Sequence, residues 1–61
     1  MAIDVLPKDP MMLLSFVNTR MRDENINLAE LCEQFGTDRE AVEGVLEKIE
    51  YHYDDALRKF I

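Results

Sequence analysis

The chain has 61 residues, 48% of them apolar and 33% charged, and thirteen acidic against seven basic side chains give a formal net charge of −6 at pH 7. This composition excludes a disordered segment, because there is enough apolar surface to offset the entropy of ordering one small domain. The negative excess opposes phosphate backbones and anionic lipid surfaces, so neither a nucleic acid partner for the monomer nor a membrane is expected.

A chain of this length buries only about 60% of the surface that its unfolded form exposes. Association therefore offers stability that one small core supplies weakly, and a protein partner or a homodimer is expected.

Residues 1–9 read as an N-terminal arm, in which Ile3 and Val5 flank Asp4 in the alternation of a strand fragment, and residues 10–61 as a single helical domain. Asp9 followed by Pro10 is a helix start, since the carboxylate can accept an early backbone N–H and proline suits the first helical position. Helix 1 is predicted to run to about Asp23. Its apolar run Met11 to Val17 is broken by Ser15, is far shorter than a membrane span and follows no basic stretch. A cytoplasmic protein is expected, in keeping with the single cysteine, Cys32.

Ser15, Asn18, Thr19 and Arg22 fall at i, i+3, i+4 and i+7 and form a polar stripe, while Leu13, Leu14, Phe16, Val17 and Met21 occupy the rest of helix 1. So broad an apolar arc predicts a central helix touched on two sides. The stripe reads as its wet side, with Asn18 open to a second reading in which it turns inward to satisfy the Asp23–Asn25 turn.

Asn27 with Glu30 forms a capping box, and Leu28, Leu31, Cys32 and Phe35 then repeat at helical spacing up to Gly36, where a left-handed C-cap is expected. Thr37 with Glu40 reads as a second capping box that starts helix 3 at a sharp angle. The apolar face of helix 3 is Val42, Val45, Leu46 and Ile49, with Gly44 on the outer side at a cost of about 1 kcal/mol relative to alanine.

Tyr51, His52 and Tyr53 alternate like a short strand. Residues 54–61 leave two alternatives. Asp54 with Arg58 and Asp55 with Lys59 would support a last helical turn, whereas a turn at Asp54–Asp55 returning through Leu57 and Phe60 makes a hairpin. The hairpin is preferred.

Asn27 to Ile49 has the general pattern of a helix-turn-helix, although Thr37 stands where such motifs usually carry an apolar residue. The predicted fold class is mainly α: a compact three-helix helix-turn-helix core with a small C-terminal β-hairpin, like a truncated winged helix. The blocks Leu13-Leu14-Ser15-Phe16-Val17-Asn18-Thr19-Arg20-Met21-Arg22-Asp23, Leu28-Ala29-Glu30-Leu31-Cys32 and Tyr51-His52-Tyr53-Asp54 together resemble the short bacterial family known as domain of unknown function 4250. The similarity spans Pro7 to Phe60. It departs at Glu50, where the family's glycine is expected, and at Arg58-Lys59, where an Asn-Gln pair is expected. The resemblance implies a bacterial origin and a compact fold, and transfers no functional residue.

In a DNA-reading helix-turn-helix, the outer face of the second motif helix enters the major groove while basic groups hold the phosphates. Here that face is Asp38, Arg39, Glu40, Glu43, Gly44, Glu47 and Glu50, which adds repulsion where affinity is usually generated. A solvated acidic face or a contact for a basic partner suits it better. Glu40, Glu43 and Glu47, with the aromatic edge at Tyr51 and Tyr53, are the candidate partner-binding residues. The tyrosines have a second reading, in which they pack onto helices 1 and 3 to close the core.

Cys32 on the apolar face of helix 2 reads as a small buried hydrophobe. His52 points away from both tyrosines and has no second histidine or cysteine at ligand spacing, so no metal site is expected. With no converging polar pocket in prospect, neither catalysis nor a cofactor is expected. The expected function is a non-enzymatic protein–protein interaction module, the alternative being a DNA-associated regulator of winged-helix type that draws positive charge from another subunit.

Overall fold

A computed structural model describes residues 6–61. The strand fragment read at Ile3 to Val5 lies outside the described residues. Three helices, α1 (Pro10–Glu24), α2 (Leu28–Phe35) and α3 (Arg39–Glu47), are followed by a two-stranded hairpin, β1 (Tyr53–Asp54) and β2 (Lys59–Phe60).

Local chemistry accounts for the helix starts. Asp9 accepts the Met12 N–H at 3.1 Å ahead of Pro10. At α2 the capping box is complete: Asn27 Oδ1 receives the Glu30 N–H at 2.9 Å, and Glu30 Oε1 receives the Asn27 N–H at 3.1 Å. The start of α3 differs from the sequence reading. Its N-cap is Asp38, whose side chain makes no capping bond, and Thr37 with Glu40 forms no box. Thr37 stands one residue ahead of that cap, and its N–H, which a box would offer to Glu40, closes α2 onto the Cys32 carbonyl at 3.0 Å.

The helix ends share one device. In the Schellman motif a left-handed residue lets two successive N–H groups reach back to orphaned carbonyls of the last turn. At α1 the left-handed residue is Asn25 (φ 54°), and the Ile26 N–H reaches the Met21 carbonyl at 3.1 Å. At α2 it is Gly36 (φ 63°). At the end of α3 it is Glu50 (φ 62°), and the Tyr51 N–H reaches the Leu46 carbonyl at 3.0 Å. Glu50 is the position where the family resemblance led one to expect glycine, the residue that adopts this conformation without a Cβ penalty.

Leu13, Val17 and Met21 of α1, Leu28, Leu31 and Cys32 of α2, Val42 and Leu46 of α3, and Phe60 of β2 form the buried core. The buried α1 residues are spaced by four, with Leu14 and Phe16 half-buried beside them, and α1 packs against α2, α3 and β2, the central position that its broad arc predicted. Ile49 falls beyond the end of α3 and is half-buried. Gly44 faces open space.

The hairpin alternative holds for the tail. Tyr53 lies opposite Phe60 and Asp54 opposite Lys59 in antiparallel register. His52 and Ile61 exchange both backbone bonds, at 3.0 and 2.9 Å, and so extend the ladder by one pair. The pairs that would have supported a helical turn are used otherwise: Asp54 Oδ1 receives the Leu57 N–H at 2.9 Å, and the Arg58 guanidinium donates to Asn25 Oδ1 at 3.1 Å. Arg58 is itself left-handed (φ 54°), which lets the chain turn back into β2.

Candidate functional site

The outward side of α3 is built by periodicity. Val42 and Leu46 point into the core, which leaves Asp38, Glu40 and Glu47 on the exposed side, followed by Glu50. Glu43 is half-buried and accepts from Arg39 across one helical turn at 3.3 Å. The Arg39 guanidinium also lies over the Tyr53 ring, 5.5 Å from its centroid. Arg39 is thus folded onto an aromatic ring and a carboxylate, while Glu40 and Glu47 remain exposed, with Lys48 at the C-terminal end of the helix.

Tyr53 joins this face to the rest of the molecule. Its hydroxyl accepts the Leu28 N–H at 3.2 Å and so caps the first turn of α2, while its ring packs on Phe60 at 5.4 Å. Tyr51 is half-buried against the core. Of the five residues singled out for partner binding, the structure exposes Glu40 and Glu47, ties Glu43 to Arg39, and gives both tyrosines internal packing roles. The acids and Tyr53 are brought together only through Arg39.

On α1 the predicted polar stripe is interrupted. Ser15, Thr19 and Arg22 are exposed, but Asn18 turns inward to a different segment from the Asp23–Asn25 turn. Its carboxamide brackets Phe60: Nδ2 donates to the Phe60 carbonyl at 3.2 Å, and Oδ1 receives the Phe60 N–H at 2.9 Å. One side chain thereby satisfies the outward edge of β2 and fastens the hairpin to α1. Asparagine is a poor helix former, and its occurrence mid-helix was the only signal in the sequence.

Arg20 was also missed. Its guanidinium lies 5.3 Å from the centroids of both Phe16 and Phe35, which meet edge to face at 5.6 Å. Glu24 pairs with Arg20 at 3.0 Å and accepts from Gln34 at 2.9 Å. The shallow groove of about 320 Å³ beside this cluster is lined by Ser15, Phe16, Thr19, Arg20, Asp23 and Glu24, and Arg20 in it is already neutralised by Glu24.

Cys32 is buried, and burial is the main cause that pushes its thiol above the ordinary value; Arg39 opposes the shift, while Asp38 and Glu43 add to it. Such a thiol is held neutral and is a poor nucleophile. His52 is exposed, and Asp54 is taken up by the turn. Among the described residues no group of three or more His, Cys, Asp or Glu side chains is placed to hold a metal ion. No helix among them is long and apolar enough to cross a membrane.

The profile of one protein family, Domain of unknown function (DUF4250), matches residues 7–60. The chain belongs to the DUF4250 family. The match extends from the segment ahead of α1 to the last residue of β2, so the Asn18–Phe60 clasp and all three helix ends lie within the family's span. No curated protein matches the chain, and no solved structure does.

Proposed function

We propose that this DUF4250 protein is a small, non-enzymatic protein–protein interaction module of the cytoplasm, and that the exposed side of α3 is its contact surface for a basic partner. The observation that carries the reading is the state of Arg39. With its guanidinium held by Glu43 and stacked on Tyr53, the face offers Asp38, Glu40, Glu47 and Glu50 against a single exposed lysine, Lys48. Such a surface repels phosphates, and electrostatic complementarity instead favours encounter with a positively charged partner, with an on-rate that falls as salt rises.

The second reading is a DNA-associated regulator of winged-helix type. It is favoured by the hairpin that directly follows α3 and carries Arg58 and Lys59. On this reading a further subunit supplies the positive charge that α3 lacks.

Two measurements separate the readings. Capture from the native organism's lysate, repeated with the charge-reversed variant Glu40→Lys/Glu47→Lys, is expected to lose a protein partner while the circular dichroism spectrum is unchanged. Equal capture by both forms would overturn the acidic-face proposal. Titration against mixed duplexes at low salt is expected to give no binding; measurable affinity that falls steeply with salt would establish the second reading.

A further inference from the structure

We draw no further inference here: the strongest candidate, the pocket of about 140 Å³ at the N-terminus of α2 flanked by Arg39, Tyr53 and Arg58, carries nothing, because Asn27 and Tyr53 already cap that helix end, Glu43 holds Arg39, Asn25 holds Arg58, Asp55 lies among them, and no independent feature of the structure points to a ligand there.

Discussion

The corner between α2 and α3 and the corner between α3 and the hairpin use the same hydrogen-bond pattern with different residues. At the first, Gly36 takes the left-handed conformation; at the second, Glu50 takes it with a Cβ attached. The difference extends to what surrounds them. The helical half is punctuated by bonds between residues three to five apart, at Asp9, Asn27, Asn25 and Gly36. The hairpin half carries two strained non-glycine residues, Glu50 and Arg58, and is fastened by contacts from distant positions: Asn18 to Phe60, Tyr53 to Leu28 and Arg58 to Asn25. One half is specified locally, and the other is held in place by the rest of the molecule.

The largest expected effect lies at the clasp. Asn18→Ala leaves the Phe60 N–H and C=O partly buried without a partner and should destabilise the fold by about 2–3 kcal/mol, measured as a shift in the urea midpoint. Asn18→Asp keeps the acceptor but removes the donor and should fall between wild type and alanine; equal stability of all three forms would break the comparison.

At the corners the two glycine exchanges should have opposite signs. Nothing lies within 4 Å of a Cβ built on Gly36, so Gly36→Ala isolates backbone strain and should cost about 1–2 kcal/mol. Glu50→Gly relieves the same strain and should stabilise by about 0.5–1 kcal/mol, the gain being reduced by the greater freedom of glycine in the unfolded chain.

A smaller loss, about 1 kcal/mol, is expected for Tyr53→Phe, which keeps the ring packing on Phe60 but takes the acceptor from the Leu28 N–H. In a domain of this size such a loss lowers the thermal midpoint by about 4–8 °C.

The smallest effect is one of pH. Because burial raises the Cys32 thiol above 9.0, the folded protein keeps a proton that the unfolded chain loses above that pH. The corresponding stability is fully present below the unfolded value and declines as pH rises through the folded one. Comparing wild type with Cys32→Ala between pH 8 and pH 10 should therefore show a steeper fall for wild type.

The features legible in the sequence are those whose partners are close along the chain. Asp9 before Pro10, Asn27 with Glu30, and Gly36 after Phe35 act within one turn of helix, and each is found where its spacing places it. Thr37 with Glu40 has equally good spacing and forms no box, because the Thr37 N–H that Glu40 would accept closes α2 instead and α3 starts one residue later, after Asp38; adjacent elements compete for one backbone group, and spacing does not show which wins. The tail admits a helical turn beside the preferred hairpin for the same reason. Asp54 and Arg58 can pair across a helical turn, and what draws Arg58 away is Asn25, which is 33 positions distant. Asn18 and Phe60 are 42 positions apart, so helix periodicity placed Asn18 on a wet stripe and carried no information about the strand that meets it. On the candidate surface the acids of α3 were legible by period, whereas the engagement of Arg39 by Tyr53 depends on where the hairpin docks.

Native-state hydrogen exchange on Asn18→Ala tests the tertiary fastening of the hairpin most directly. The expected result is loss of protection at Phe60 and at the hairpin pair His52 and Ile61, while the amides of α2 from Leu31 to Phe35 exchange at rates set by global stability. Uniform loss across α2 and the hairpin, or unchanged protection at Phe60, would contradict a hairpin that one asparagine fastens to a locally specified helical core.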